Sequence, residues 1–590
     1  MSLAIRHEEL MDLDRLVSSR ISAIIVTMKD DFFKKLVQQA VQDLFGLGID
    51  AHVERPKDLS HGDYATNAAL LVSKQLGKPP IEVATELAAY LDKTKESFVA
   101  SVTVAGPGFI NFTISRSHNI DAIREAMGTS SYGYTNVYAG KKILVEHSSP
   151  NLFKPFHIGH LMNNTIGEAI TRLARTASAQ VSTMSFPSDI SLGVAKAIYV
   201  LLEKYGANFV PDDVAVLGDA YVEGTRRYQE AQESEPCGSM VYRVKEIADN
   251  LYAKKPSEEL TVFESCKAFN ITYFEQIVSR LGSQFDSYIY ESEAGVDGGR
   301  IVRENTPTVF RESEGAIVYT PENPKLHTAV FINSQGNPTY EAKDIGLLDL
   351  KFTRYDPDLS IFITDAQQVS HFAVVLDAAQ HIQPAWVERS LHRYHGRMSF
   401  KGQKMSSRLG GVPLASEVLD TVIAEVKEKN PDISPEAAEQ IGVASIKFSI
   451  LRAAAGKNID FDPEVSLSFV GDSGPYIQYT CVRASSLLEK GKEAGVLPDA
   501  STPQAGTELI ERLVAKFPEV MILAQRELAP HHLVTYTLEL AQAFNSWYGQ
   551  GKIVDEDTHA SAYRLAVVKA VRQTLTNGLW VLGIEIPERM

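Results

Sequence analysis

The sequence predicts an α/β protein: a Rossmann-type parallel-sheet domain, preceded by a small α/β domain and followed by a long helical region. Three observations predict it. Residues 141–186 read strand, loop, helix, strand, the βαβ unit of a parallel nucleotide-binding sheet. Residues 30–116 pair helical apolar spacing with a Gly-Pro-Gly hairpin. From about 436 onward the apolar spacing stays helical, after the linker "KNPDISP".

In the first segment Phe32, Phe33, Leu36, Val37, Val41 and Leu44 recur at helical spacing. The turn "RPKDLSHGDYATN" leads to a second helical run, and "VTVAGPGFINFTIS" forms a strand pair. In the second, Ile143, Leu144 and Val145 make a short buried strand ended by the turn residues Ser148 to Asn151. Ile166, Ile170 and Leu173 mark one face of the following helix, and "AQVSTMSF" is the next strand. Residues 203–300 are charged, helix-prone and give no chemical signal, so they read as an insertion. Strand signals return at "HTAVFINSQGNPTY" and "DLSIFIT". The boundaries follow: an N-terminal extension at 1–29, a first domain at 30–116, a catalytic domain at 117–430 with its insertion, and a helical domain at 431–590.

Composition bounds the function. The 590 residues suffice for about three or four domains with full cores. A formal net charge of −16 argues against blanket attraction to nucleic acid or membrane but leaves room for a local basic face. The three cysteines, Cys237, Cys266 and Cys481, are scattered, which fits neither a disulfide framework nor a thiolate metal site and points to a reducing, cytoplasmic compartment. No apolar run approaches a membrane span, and the acidic start does not fit a targeting peptide.

The chemistry gathers at "NLFKPFHIGH", residues 151–160. His157 and His160 do not suffice for zinc, which needs three or four ligands, so no metal site is expected. They could be polar residues at a helix start. They could also donate to phosphate oxygens beside a helix N-terminus, with Gly159 allowing close approach. About 245 residues later "KGQKMSSRLGG" supplies Lys404, Met405, Ser406, Ser407 and Arg408 on a glycine-flanked loop. A lysine there can neutralise charge as pyrophosphate leaves. Glu146 ends the first strand, and Tyr340 and Asp344 stand one helical turn apart. Such acids suit a guanidinium, although structural ion pairs would explain them equally well. Arg389, Arg393, Arg397, Lys401, Lys404 and Arg408 form a basic stretch that could line a nucleic-acid path or be a solvated face. Tyr476, Tyr479 and Arg483 share helical spacing and suit unstacked bases, with buried core tyrosines as the alternative.

The H-x-G-H and K-M-S-S pair resembles the class I aminoacyl-tRNA synthetases. "VEHSSPNLFKPFHIGHLMNNTIGEAI", "PTYEAKDIGLLDLKF", "DAQQVSHF", "FDPEVSLSFVGDSGPYIQYTCVRASSLL" and "LGIEIPERM" are similar to arginyl-tRNA synthetases in particular. "HGDYATNAALLVSK" and "GPGFINF" resemble that family's additional N-terminal domain. The resemblance implies an arginine–tRNA ligase using ATP, with Mg2+ accompanying the nucleotide, L-arginine and tRNA(Arg), mostly as a monomer. It implies Glu146 and Asp344 on the guanidinium, and Asn151, Tyr340 and Gln368 on the α-amino and carboxylate side, with His371 close by. It implies His157, Gly159, His160, Lys404, Met405, Ser406 and Ser407 on ATP, with Lys154 as partner or substitute for Lys404. The helical region becomes an anticodon-binding bundle using Tyr476, Tyr479 and Arg483, with Met590 beside it. Asn111 and Phe112 become candidate tRNA contacts of the first domain. Two positions depart from the pattern: His147 stands where an aromatic is usual, and "SFPSDISLGVAK" matches only loosely, so Asp189 receives no role.

Overall fold

The run Ile143-Leu144-Val145 is buried on both faces, as a central strand between two helical layers requires. In the computed structural model, which describes residues 29–56, 58–234, 238–400 and 414–590, it forms the middle of a five-stranded parallel sheet. The strands are β1 (Lys142–Glu146), β2 (Gln180–Ser185), β3 (Ser287–Tyr288), β4 (Leu359–Asp365) and β5 (Ser390–His395). They lie in the order β5-β4-β1-β2-β3, all parallel. This is a doubly wound sheet whose order reverses between β1 and β4, so the ligand crevice opens beyond the carboxyl ends of those two strands. The end of the 203–300 stretch therefore belongs to the sheet, because β3 is its edge strand.

Helix α1 (Ile158–Thr176) connects β1 to β2. It buries Leu161, Met162, Ala169, Ile170 and Leu173, and each fully buried leucine contributes about 1.5–3 kcal/mol. Helices α2 (Glu291–Glu304) and α3 (Tyr340–Tyr355) meet through glycine. A Cβ on Gly298 would lie 1.7 Å from the carbonyl oxygen of Ala342, and one on Gly346 would lie 1.9 Å from that of Ala294. Helix α4 (Val369–Ile382) follows β4.

The chain divides into two compact units. The sheet and α1–α4 belong to the unit of Tyr138–Pro475, Leu528–His531 and Trp580–Met590. Within it Lys447 is 1% exposed and donates to the carbonyls of Leu281 and Gly583, both at 2.6 Å. Burial, with Arg172 nearby, pushes its pKa down to about 7. Arg172 of α1 pairs with Glu168 at 2.6 Å and donates to the carbonyls of Gly282 and Trp580, each at 2.8 Å. Met590 packs against an apolar cluster that includes Leu161, Leu419 and Ile446. Its side chain is thus held by the catalytic unit's own helices.

The other unit holds the described residues up to Val137, with Tyr476–Glu527 and His532–Leu579. Its antiparallel sheet runs Val53–Glu54, Tyr64–Thr66, Phe109–Ile114, Val99–Ala105. The expected hairpin is there, with Gly106 and Gly108 at positive φ. Phe112 is wholly enclosed, its ring 4.6 Å from that of Phe33, and Asn111 is 6% exposed. Both of these candidate tRNA contacts are buried in the sheet, and Phe112 is part of its core. The "HGDYATN" segment is an anchor within this unit. Asp63 accepts from Arg512 Nε at 2.9 Å and from the Ile114 N–H at 2.7 Å. The Tyr64 hydroxyl donates to Glu519 at 2.7 Å.

Candidate active site

The loop from β1 to α1 is held in a strained course. Ser148 and Phe153 have φ of 57° and 62°, a region that costs a non-glycine residue about 1–3 kcal/mol. Hydrogen bonds to side chains hold both. The Ser148 N–H donates to Asn163 Oδ1 at 2.7 Å, and the Phe153 N–H donates to Asn270 Oδ1 at 2.8 Å. Asn163 also donates to the Ile363 carbonyl at 2.7 Å, so one side chain of α1 ties together the ends of β1 and β4. His147 is fully buried, packs on Phe285 at 4.8 Å and occupies the space a side chain at Gly167 would need. Burial and the Arg175 charge push its pKa down to about 3, so it behaves as a neutral aromatic.

His157 is the N-cap of α1. Its Nδ1 accepts from the Gly159 N–H at 3.1 Å, and His160 Nδ1 accepts from the His157 N–H at 3.1 Å. The rings stack with centroids 3.9 Å apart. Because both Nδ1 atoms accept, the proton of each neutral ring sits on Nε2. Burial and the Lys154 charge lower the pKa of His157, and burial with His157 and His395 nearby holds His160 well below the ordinary value. The result is two neutral Nε2–H donors at a helix N-terminus, suited to anionic oxygen. Gly159 has a second reason beyond ligand approach: a Cβ there would lie 2.9 Å from His157 Cε1. Lys154 is exposed, with its ammonium 4.7 Å from the Tyr221 ring centre. Lys404, Met405, Ser406 and Ser407 lie outside the described residues.

Across the switch point the acids gather. Glu146 and Asp344, both buried, line one small cavity with Lys351, Phe362 and Phe372. Glu146 is ion-paired with Lys351, and Asp344 Oδ2 lies 2.6 Å from His371 Nε2. Tyr340 is exposed on the first turn of α3, and Gln368 is exposed at the N-cap of α4. Asn151 bridges to Ser188, and the Leu152 N–H donates to the Ser188 carbonyl at 3.0 Å. One acid escaped the sequence reading. Glu291, first residue of α2, is 6% exposed and pairs with Lys343 at 2.6 Å. Burial raises its pKa, Lys343 and Ser188 oppose this, and Asp344 raises it further, for a net upward shift. Glu291 follows a two-residue edge strand that carries no signal of its own in the sequence. Asp189 is fully buried and accepts from Ser292 and Lys267, an anchoring role.

On the helix Gly474–Glu493 the Arg483 guanidinium lies 4.7 Å from each of the Tyr479 and Tyr548 ring centres. Tyr476, one turn before Tyr479, is half-buried.

The parallel sheet and the capped histidine pair at its switch point are those of a class I aminoacyl-tRNA synthetase, and the family "tRNA synthetases class I (R), catalytic domain" matches residues 124–462. "Arginyl tRNA synthetase N terminal domain" matches residues 31–114, and "DALR anticodon binding domain" matches 477–590. An arginine–tRNA ligase of Exiguobacterium sp. is 30% identical over 552 residues, covering 92% of this chain and 96% of that one. One from Clostridium perfringens is 28% identical over 577 residues, covering 95% and 100%. The arginyl-tRNA synthetase of Thermus thermophilus superposes with a TM-score of 0.75 at 27% identity, covering 95% of this chain and 100% of that one. The chain belongs to the arginyl-tRNA synthetase family.

Proposed function

We propose that the chain joins L-arginine to tRNA(Arg) in two steps in the crevice between β1 and β4. An oxygen of the arginine carboxylate attacks the α-phosphorus of ATP, which enters with Mg2+, and the bond to the pyrophosphate leaving group breaks. A ribose hydroxyl at the tRNA 3′ end then attacks the carbonyl carbon of the arginyl-adenylate and AMP departs. No protein nucleophile takes part. The protein's contribution is alignment and stabilisation of phosphate charge.

In this reading the Nε2–H groups of His157 and His160 donate to the nucleotide. Neither ring exchanges a proton, because both Nδ1 atoms are engaged in capping α1. Lys154 and Lys404 offset the charge that builds on pyrophosphate. Glu146, Asp344 and the newly found Glu291 form the acidic wall for the guanidinium, and Asn151, Tyr340 and Gln368 serve the α-amino and carboxylate side. Tyr476, Tyr479 and Arg483 serve the tRNA. The enzyme acts as a cytoplasmic monomer.

The observation that carries the reading is the pairing of two neutral imidazole donors on one side of the switch point with buried carboxylates on the other. The test is ATP–pyrophosphate exchange with each amino acid, with and without tRNA(Arg). Arginine alone should support exchange, and only once tRNA is added. Exchange driven by another amino acid, or by none, would overturn the assignment.

A further inference from the structure

His371 stands in the first turn of α4 and bridges two carboxylates of α3. Its Nε2 lies 2.6 Å from Asp344 Oδ2, and its Nδ1 lies 3.6 Å from Glu341 Oε1. A ring with a carboxylate at each nitrogen carries a proton on both. Burial opposes that charge, but the bonds to Asp344 and Glu341 push the pKa up to about 10. Its aromatic neighbours are neutral: Phe372 meets it edge-on at 5.1 Å. His392, beyond Phe372, is pushed down to about 3 by burial and by the charges of His371 and Lys351.

Glu146 and Asp344 line the cavity, Glu291 and Glu341 stand on the helices beside it, and these acids are mostly compensated already. Lys351 pairs with Glu146, Lys343 with Glu291, and His371 with Asp344 and Glu341. Four carboxylates face three cations, which leaves one negative charge, the amount one guanidinium neutralises. Without the His371 proton the cluster would carry two, and Asp344 would lose the bond that fixes its carboxylate plane.

We propose that His371 is the positioning residue for arginine selection: by holding Asp344 Oδ2 it fixes the carboxylate so that Oδ1 is offered to the guanidinium, and by its charge it limits the pocket to one cation. This rests on the arginine-pocket reading above. A planar guanidinium gains from a fixed acceptor, because its donors are set in a rigid fork. A lysine ammonium, whose three donors rotate freely, gains nothing from it. His371 therefore serves discrimination as well as affinity.

The experiment is steady-state charging by the full chain with saturating ATP and tRNA(Arg), comparing His371→Leu, His371→Gln and Asp344→Asn. Loss of a charged hydrogen bond in His371→Leu should raise KM for arginine about 10- to 100-fold, with kcat and KM for ATP near wild type. His371→Gln, which keeps an N–H donor without the charge, should recover most of that affinity, whereas L-lysine should inhibit His371→Leu more strongly relative to arginine than it inhibits wild type. A merely structural residue would move kcat, KM for ATP and thermal stability together and show no rescue. An unchanged KM for arginine in His371→Leu beside a raised one in Asp344→Asn would overturn the proposal alone. An unchanged KM in Asp344→Asn would overturn the pocket reading and this inference with it. Should His371→Leu not fold, Glu341→Gln loosens the same ring from its other side, and an unchanged KM for arginine there would count equally against the proposal.

Discussion

Replacing His157 by asparagine separates two jobs that one imidazole performs. Its Nδ1 caps α1 by accepting from the Gly159 N–H at 3.1 Å, and its Nε2–H is free for the nucleotide. Asparagine is among the best N-cap residues, and its side-chain oxygen can accept the same N–H. The asparagine variant should therefore be more stable than His157→Ala, which has no acceptor, by about 1 kcal/mol. Stacking against His160 at 3.9 Å is lost in both variants and cancels between them. Neither variant keeps the Nε2–H. Removal of one preorganised donor at developing charge costs about 100- to 1,000-fold, or about 2.7–4 kcal/mol. The assays are tRNA-dependent pyrophosphate exchange and urea unfolding on all three proteins. An asparagine variant with exchange close to wild type would show that the ring is a cap alone. One as unstable as the alanine variant would refute the capping argument.

Gly298→Ala puts a methyl 1.7 Å from the Ala342 carbonyl oxygen, so α2 and α3 must separate. It should lose about 1–3 kcal/mol of stability and raise KM for arginine, checked by unfolding and by charging kinetics. His147 is neutral in the fold, with its pKa pushed down to about 3, and takes a proton readily once unfolded. Its contribution to stability is present above the ordinary histidine value of about 6.5 and is lost as pH falls from there through 3. His147→Phe keeps the ring on Phe285 and cannot titrate, so the acid-unfolding midpoint followed by circular dichroism should move to lower pH; an unmoved midpoint would count against the assignment. Phe112→Ala should cost about 3–5 kcal/mol in the N-terminal unit by denaturant unfolding, as expected of a core ring rather than an RNA contact.

The sheet was legible because its strands carry their own signals. Ile143-Leu144-Val145 and "SIFIT" are short, β-branched apolar runs of the kind that strands buried on both faces carry. The histidine pair was legible as chemistry but not as geometry. Nothing in the spacing of His157 and His160 says that each ring accepts a main-chain N–H, and that fact fixes the tautomer. Glu291 was hidden because β3 is two residues long and follows about eighty residues of helix, so no strand signal announced it. The burial of Phe112 was not legible because Phe109–Ile114 buries successive positions, so alternation did not mark an outer face. Glu146 and Asp344 do share one cavity, while their partners Lys351 and His371 come from the next turns and the next helix, which spacing alone cannot pair.

The glycine contact between α2 and α3 has a consequence for how selectivity can change. Glu291 rides on one helix and Asp344 on the other, and main chain meets main chain at Gly298 and Gly346. The spacing of the two helices is thus gauged by backbone contact, which no rotamer change can alter. Separating them is not a rotamer change, which takes picoseconds to nanoseconds; it requires a whole helix to slide, a collective motion of microseconds to milliseconds. The two helices behave as a locked caliper, and if the proposed arginine pocket lies beside them, relaxing it means changing a glycine rather than an acid.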